Sequence, residues 1–533
     1  MPLALPAPDV WTLLAEWTEQ TPDARAFLHG ERTISFAELH EQSLRAARGL
    51  SDLGVGPGDR VALWLPNIPA YPILYFACAR LGAIAVAVNT RFRAVEVADI
   101  VGRSGAKVLA CAPGFRRIDF LSILAEVEPN ALDRLAAIVI VGEEPSTAPP
   151  AIERLRRVPY ERLLSRPRHG ANHAAPNAPC NIFTTSGTTS APKFVLHRQG
   201  AIAIHAQEVA RAFGFDAPET LTLSILPLCG VFGFNQTLTT LAAGRPCVLV
   251  ESYEIEEIAR LIAQHRPTSL LGSDDMVARL LDLVPGERPF PSVKWMGYAG
   301  FNAALENIAE VAEQRGLILR GPYGMSEVQA LYAIQPIDAP VAQRKKGGGV
   351  LSSPFAHVRV RDPETGALLG VGQPGALECA GPSLMVGYYG NEKATAEALT
   401  LDGYVRTGDL AQLESDGSFT FLSRMGDVLR LSGFLVNPLE IETHIQKLPA
   451  IEGCQTIAVP RPDGVRAVSF VMLKPGAVLD EADVIAHCKR GLANYKVPLR
   501  VFAIDDFPKT PSPNGFKIQR AKLREMAEAF LKA

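Results

Sequence analysis

Short apolar segments alternate with longer segments of helical spacing through the first half of the sequence. Residues 60–66 are largely apolar and stop at Pro66, residues 71–81 have a helical pattern, and residues 84–88 are again apolar. Similar apolar segments follow at residues 108–111, 138–141, 221–226 and 247–250. Such alternation is typical of parallel sheets covered by helices. We therefore predict an α/β fold.

The pattern changes beyond residues 424–428, where we predict a domain boundary. The downstream sequence predicts helices over residues 438–446 and 481–492 and strands over residues 456–459 and 468–473. Together these elements form an α+β unit of about 105 residues, which is an ordinary domain size. We expect an N-terminal domain of residues 1–425 and a smaller C-terminal lid domain of residues 426–533.

Charge and cysteine usage exclude several classes of function. The 533 residues carry a net charge of −3, which gives no electrostatic footprint for nucleic acid or an anionic membrane. The eight cysteines include no Cys-x-x-Cys pair, so we expect neither a zinc site nor a disulfide framework. No apolar run approaches the roughly 18 residues of a membrane span, and residues 1–7 lack a basic region. We expect a cytoplasmic monomer or homodimer.

Residues 184–193 are the most informative segment, because they combine hydroxyl side chains, a glycine and a lysine. They follow the apolar pair Ile182-Phe183, which predicts a loop at the end of a strand. Backbone amides and hydroxyls in such a loop suit the oxygen atoms of a polyphosphate. The alternative interpretation is a polar surface turn.

A Walker-type phosphate loop does not fit this segment. That motif requires glycine before its lysine, Ser or Thr after it, and a helix at that point. Here Pro192 precedes Lys193, Phe194 follows it, and the proline disfavours a helical turn at Ala191.

The segment instead resembles the signature loop of the adenylate-forming superfamily: acyl-CoA synthetases, luciferases and peptide-synthetase adenylation domains. Further segments resemble other motifs of that family, in the same order. They are Tyr323-Gly324-Met325-Ser326-Glu327, residues 402–409 ending in Thr407-Gly408-Asp409, residues 424–442, and Lys517-Ile518-Gln519-Arg520. The resemblance begins near residue 33 and covers nearly the whole chain. It implies a large domain of parallel sheets with a small β-barrel-like part, plus the lid domain.

The resemblance also implies roles for individual residues. Lys193, Glu327 and Lys517 are the expected catalytic residues, and Glu327 is the expected Mg²⁺ ligand. Further ATP or AMP contacts are expected from Thr185, Ser186, Gly187, Thr188, Thr189, Gly297, Tyr298, Ala299, Tyr323, Gly324, Met325, Ser326, Asp409 and Arg424. Lys517 follows the Pro/Gly-rich residues 508–516, which predict a mobile loop.

The remaining expectations concern the second substrate and the acid. The resemblance places Ser432, Gly433 and Phe434 at a coenzyme A tunnel, and Gly426 at a hinge whose torsions glycine tolerates. The acyl pocket is expected near Gly230, Phe232, Gly233, Phe234, Tyr298 and Phe301. Relatives often carry an aromatic residue and His where this chain has Cys229 and Gly230.

The resemblance predicts an acid–thiol ligase that uses ATP, Mg²⁺ and coenzyme A. A carboxylic acid is activated as acyl-AMP with release of pyrophosphate, and coenzyme A then takes the acyl group. We see no Arg or Lys in the expected acyl pocket, which favours a monocarboxylic aliphatic or aromatic acid. Two alternatives remain open: transfer of the acyl group to another acceptor, and a nucleotide-binding relative without catalysis.

Overall fold

The computed structural model describes residues 8–143, 149–185, 192–300, 305–425, 429–431, 434–436, 438–461, 464–492, 496–512 and 515–531. Its helices are α1 (Val10–Gln20), α2 (Phe36–Asp52), α3 (Ala70–Leu81), α4 (Ala94–Ser104), α5 (Phe120–Ala125), α6 (Tyr160–Leu164), α7 (Gln199–Phe213), α8 (Val231–Ala242), α9 (Ile255–His265), α10 (Asp274–Leu283), α11 (Ile308–Gln314), α12 (Val341–Arg344), α13 (Glu392–Ala398), α14 (Pro438–Gln446), α15 (Glu481–Gly491) and α16 (Arg520–Phe530).

Two large sheets, mostly parallel, form the body of the N-terminal part. The strands up to residue 334 are β1 (Arg25–His29), β2 (Arg32–Ser35), β3 (Arg60–Trp64), β4 (Ile84–Ala87), β5 (Val108–Cys111), β6 (Ala137–Ile140), β7 (Arg156–Pro159), β8 (Pro179–Thr184), β9 (Phe194–Arg198), β10 (Thr222–Ser224), β11 (Cys247–Leu249), β12 (Ser269–Ser273), β13 (Trp295–Ala299), β14 (Leu319–Arg320), β15 (Pro322–Tyr323) and β16 (Ala333–Ile334). Sheet A has the order β14-β13-β12-β10-β11-β1-β2, with β2 antiparallel at its edge.

The later strands complete the other sheets. They are β17 (Gly348–Leu351), β18 (His357–Arg361), β19 (Gly375–Ala380), β20 (Gly387–Tyr388), β21 (Val405–Leu413), β22 (Phe419–Arg424), β23 (Leu429–Leu431), β24 (Phe434–Val436), β25 (Ile451–Arg461), β26 (Gly464–Leu473), β27 (Arg500–Ala503), β28 (Lys509–Ser512) and β29 (Gly515–Ile518). Sheet B has the order β20-β9-β8-β4-β3-β5-β6-β7, and sheet C the order β15-β16-β17-β22-β21-β19-β18.

The apolar sequence segments become the buried centres of sheets A and B. Every residue of β4, β5 and β6 is buried, as both faces of a helix-covered parallel sheet require. The segments Asp402-Gly403 and Asp416-Gly417 flank β21, and both glycines have positive φ, of 87° and 84°. The predicted α/β class is thus confirmed. The N-terminal part also contains the antiparallel sheet C, in addition to sheets A and B.

The C-terminal part is a small α+β unit. Antiparallel β25 and β26 pair along their length, β27 lies parallel to β26, and α14 packs against β25. Glu442 is fully buried on α14, where it accepts hydrogen bonds from the Thr456 amide at 2.7 Å and from Arg520 Nη2 at 3.0 Å. This carboxylate therefore ties α14 to β25 and to the start of α16.

One sequence expectation about the lid is corrected. Residues 509–512 and 515–518 are not irregular, because β28 and β29 pair antiparallel with Thr510 opposite Lys517. Within the described residues, we find no helix with both the length and the hydropathy that a membrane span requires. The same residues contain no group of three or more acidic, His or Cys side chains placed to hold a metal ion.

Candidate active site

The hydroxyl-rich segment connects two antiparallel strands of sheet B. Strand β8 ends at Thr184 and β9 begins opposite it at Phe194. Just beyond, the Thr185 amide donates to the Lys193 carbonyl at 3.0 Å, and the Lys193 amide donates to Thr185 Oγ1 at 3.2 Å. These bonds close the base of the loop. The predicted contacts Ser186, Gly187, Thr188 and Thr189 lie outside the described residues.

Lys193 and Glu327 both contact the side chain of Tyr388. The Lys193 ammonium lies over the ring of Tyr388, 4.7 Å from its centroid, and the Tyr388 hydroxyl donates to Glu327 Oε1 at 2.8 Å. Burial and the neighbouring Glu327 carboxylate raise the pKa of Tyr388, so the phenol remains protonated. Sequence reasoning missed Tyr388, because a Tyr-Tyr pair between glycines carries no sign of its three-dimensional neighbours.

The segment after β15 has an unusual backbone. A single 3₁₀ turn, Ser326–Val328, is followed by Gln329, Ala330 and Leu331 with φ of 69°, 52° and 42°. Three successive non-glycine residues in the left-handed region cost roughly 1–2 kcal/mol each. Strain of this kind persists where the surroundings hold it, and it concentrates at functional sites. Gly324 lies against this segment: a Cβ there would come within 2.5 Å of the Ala330 backbone.

We expect Gly324→Ala to weaken ATP binding about tenfold or more, because the added methyl group must displace the Ala330 backbone. Nucleotide affinity measured by calorimetry checks this. Gly170→Ala is the matched control, since a Cβ at Gly170 meets no atom within 4 Å. Unchanged ATP affinity in a folded Gly324→Ala protein would contradict the idea that close packing of Gly324 on the Ala330 backbone matters for nucleotide binding.

Two buried histidines lie next to the strained segment and the 3₁₀ turn before it. His197 on β9 donates from Nε2 to the Ser326 carbonyl at 2.7 Å. His205 on α7 is buried next to the backbone of Ala330 and Gln329. Burial lowers the pKa of His197 to about 4 and that of His205 to about 3. Both rings are therefore neutral at physiological pH. Sequence reasoning missed both residues, since a histidine beside apolar neighbours is usually only a core residue.

These histidines predict a loss of stability in acid. Because the pKa of each is lower in the folded than in the unfolded chain, their contribution is complete above pH 6.5 and falls as the pH drops toward 4. His205→Gln should reduce the pH dependence of the unfolding free energy by about 1 kcal/mol per pH unit between pH 6 and 4.5. Urea titrations followed by tryptophan fluorescence measure it, as the chain's four tryptophans, at positions 11, 17, 64 and 295, all lie in the N-terminal part. Equal slopes in parent and variant would refute the prediction.

Asp409 is held by residues from two other strands. It lies on β21 in register with Arg424 on β22, and the Tyr323 hydroxyl donates to its Oδ2 at 2.6 Å. Arg424 Nη1 is 3.0 Å from Oδ1, but no hydrogen bond of good alignment reaches that oxygen from the described residues. Burial raises the pKa of Asp409, whereas Arg424 and Tyr323 oppose the rise. The carboxylate thus keeps an oxygen that can accept from ribose hydroxyls.

Tyr323, an expected ATP or AMP contact, packs among aromatic residues of sheet C. Its ring is buried, edge-on to Phe419 with 5.1 Å between centroids and tilted against Phe421 at 5.9 Å. Its contact with the site is the hydroxyl on Asp409. Its contact with the nucleotide stays a prediction.

Residues Gly297, Tyr298 and Ala299 end β13, which lies next to the edge strand β14 of sheet A. A Cβ at Gly297 would lie 2.4 Å from the Leu271 side chain, so glycine allows close packing there. Tyr298 packs with residues of α10 and α11 on one face of the sheet, and its hydroxyl donates to the Lys345 carbonyl at 3.3 Å. Gly297 and Ala299 point to the opposite face, because side chains alternate along a strand.

The expected acyl-pocket residues are divided between two environments. Gly230 caps α8, and a Cβ at Gly233 would lie 2.4 Å from the Leu226 carbonyl. Phe232 is half-buried among apolar residues that include Ala330 and Leu331 of the strained segment. Phe234 lies instead in the core, 4.9 Å from Tyr75 and 5.3 Å from Phe183 between ring centroids, beside an apolar cavity of about 20 Å³.

The predicted lid residues are only partly described. Gly426, Ser432 and Gly433, and also Phe301 of the acyl pocket, lie outside the described residues. Phe434 begins β24, and the backbone of Lys517 lies on β29.

Comparisons with known proteins cover most of the chain. The profile described as AMP-binding enzyme matches residues 14–389, and that described as AMP-binding enzyme C-terminal domain matches residues 440–513. A Mycobacterium tuberculosis protein named as a methyl-dioxo-octahydro-indenyl-propanoyl:CoA ligase is 30% identical, over 95% of this chain and 96% of its own. Feruloyl-CoA synthase of an Amycolatopsis species is 29% identical, over 92% of this chain and 94% of its own. The crystal structure of ATP-bound MatB from Rhodopseudomonas palustris shares the fold, with a TM-score of 0.82, 24% identity, and coverage of 98% of this chain and 99% of that one.

Proposed function

The chain belongs to the AMP-binding enzyme family, and on that premise we propose that it is an AMP-forming acid–CoA ligase working in two steps. One observation carries the proposal: the fold brings the expected phosphate-binding Lys193, the expected metal ligand Glu327 and their link Tyr388 together. The names of relatives that match over nearly their whole length, all CoA ligases or synthases, support the same reaction.

In the first step a carboxylate oxygen of the acid attacks the α-phosphorus of ATP. The bond between that phosphorus and the oxygen bridging to the β-phosphorus breaks, pyrophosphate leaves, and acyl-AMP remains. Lys193 and the donors of its loop hold the phosphates, and Asp409 holds the ribose. Lys517 neutralises charge that develops between the carboxylate and the α-phosphate.

The chemistry of Glu327 fits a magnesium ion. Its Oε1 is engaged by Tyr388, whereas within the described part of the chain no donor reaches Oε2. Mg²⁺ in nucleotide enzymes is usually held by one or two carboxylates together with the phosphates. When bound, the ion would offset negative charge on the phosphates. The protein supplies Glu327 in a buried, fixed orientation for it.

In the second step the thiol sulfur of coenzyme A attacks the acyl carbonyl carbon, the bond from that carbon to the phosphate oxygen breaks, and AMP leaves. Because one site serves both steps, Lys517 has to withdraw before the thiol enters. We propose that the division at residues 425 and 426 permits this, with Gly426 as hinge and Ser432, Gly433 and Phe434 along the thiol path.

The proposed acid is monocarboxylic, aliphatic or aromatic. Val231 and Phe232 share an apolar environment with Leu331 of the strained segment. Such surfaces hold an acyl chain or ring without a charged partner.

The test uses the whole protein with Mg²⁺, ATP, coenzyme A and a panel of acids that varies in chain length and ring substitution. Pyrophosphate release and thioester mass are followed together. We expect both to appear with the same monocarboxylic acids. Pyrophosphate without thioester would favour another acyl acceptor. ATP binding without pyrophosphate, whatever the acid, would favour a non-catalytic nucleotide-binding protein.

A further inference from the structure

Tyr388 lies on the edge strand β20, which is held by several hydrogen bonds. Strand β20 pairs with β9 at the edge of sheet B, so that Tyr388 lies opposite Val195, two residues beyond Lys193. The Tyr388 amide donates to Thr395 Oγ1 at 2.8 Å. Just before it, the Met385 amide donates to the carbonyl of Glu327 at 2.9 Å. One short segment therefore contacts both the strand that directly follows Lys193 and the turn that carries Glu327.

The ring of Tyr388 separates two opposite charges. Lys193 lies over one face of the ring, and Glu327 is bound at the hydroxyl. These two described residues form no ion pair with each other; the partner of each is Tyr388. The aromatic face offers the ammonium a weaker, non-ionic contact.

A direct Lys193–Glu327 pair would compete with catalysis as proposed. The ammonium would be engaged by a carboxylate rather than by phosphate oxygens, and the carboxylate would lose capacity for a cation. We propose that Tyr388 is a positioning residue that keeps Lys193 and Glu327 apart, so that one stays available to the triphosphate and the other to the metal. This inference rests on the proposed function.

The simpler interpretation is that Tyr388 only fills the core of sheet C, where it packs with apolar neighbours. Under that interpretation, replacing Tyr388 lowers the stability of the protein. Removing the Glu327 carboxylate as well would then not be expected to restore nucleotide binding. The two interpretations therefore differ in a double variant.

The test measures binding of α,β-methylene ATP, in which the bond cleaved by adenylation is replaced, by calorimetry with and without Mg²⁺. Tyr388→Phe keeps the ring, so we expect the metal-free affinity to stay within about twofold of the parent. Because the hydroxyl that donates to Glu327 is lost, we expect the affinity to depend differently on Mg²⁺ concentration. Tyr388→Leu lets Lys193 reach Glu327, and we expect metal-free affinity to fall about tenfold. Tyr389→Phe, at the neighbouring position, is the matched control and should bind like the parent.

The decisive comparison adds Glu327→Gln to Tyr388→Leu. We expect the double variant to bind metal-free α,β-methylene ATP within about threefold of Glu327→Gln alone, because the competing carboxylate is gone. Parent-like binding by Tyr388→Leu, or no recovery in a folded double variant, would overturn the role of Tyr388. Failure of the parent itself to bind α,β-methylene ATP would instead overturn the proposed function.

Discussion

Replacing Lys517 with alanine should slow acyl-adenylate formation about a hundredfold to a thousandfold, because a cation that stabilises the transition state is lost. Thioester formation from preformed acyl-adenylate should change little, since the proposed mechanism requires Lys517 to withdraw before that step. The backbone of Lys517 lies in a paired strand, opposite Thr510, rather than in a loose loop.

Each half-reaction is measured separately, by pyrophosphate release and by conversion of synthetic acyl-AMP to thioester. Lys522→Ala is the matched control, because Lys522 is an exposed lysine on the neighbouring helix α16. Equal loss in both half-reactions would mean that Lys517 does not act on the first step alone.

Asp409 should determine how the enzyme distinguishes ATP from 2′-deoxy-ATP. A hydrogen bond to a charged group contributes about 1.5–3 kcal/mol, so the parent should use 2′-deoxy-ATP with kcat/KM lower by about tenfold to a hundredfold. Asp409→Asn should raise the KM for ATP by a similar factor and largely abolish the discrimination. Asparagine keeps the size of the side chain, so that Tyr323 and Arg424 retain a neighbour of similar shape.

Kinetics with the two nucleotides, for parent and variant, give the comparison. Asp416→Asn serves as control, because Asp416 accepts hydrogen bonds from Ser418 in an exposed turn of sheet C. A parent enzyme that uses both nucleotides equally well would show that Asp409 does not bind the ribose.

The elements predicted correctly are those fixed by nearby residues. Helix α14 spans residues 438–446 as predicted, with Pro438 at its first position, where its missing amide costs nothing. Strand β5 likewise has the predicted bounds, since its apolar run is short and bounded. The lid hairpin was missed, because proline and glycine in residues 508–516 favour a loop when β pairing is left out of account.

In the candidate site, too, the features set by nearby residues could be predicted, whereas those set by distant residues could not. Lys193, Glu327 and Asp409 stand in ordered motifs, and their types already suggest phosphate, metal and ribose. Their mutual arrangement depends on residues distant in sequence: Tyr388 is 61 positions from Glu327, and Tyr323 is 86 from Asp409. Such partners are set by strand pairing across sheets B and C, which single-sequence patterns do not encode.

The central claim, that the acid attacks the α-phosphorus of ATP, is tested most directly with an acid carrying ¹⁸O in both carboxylate oxygens. After turnover with ATP, Mg²⁺ and coenzyme A, mass spectrometry of the nucleotide and thioester locates the label. We predict AMP with one labelled oxygen and a thioester that retains the other, because the carbon–oxygen bond breaks in the second step. Label in inorganic phosphate together with ADP, or thioester formation with unlabelled AMP, would contradict the account.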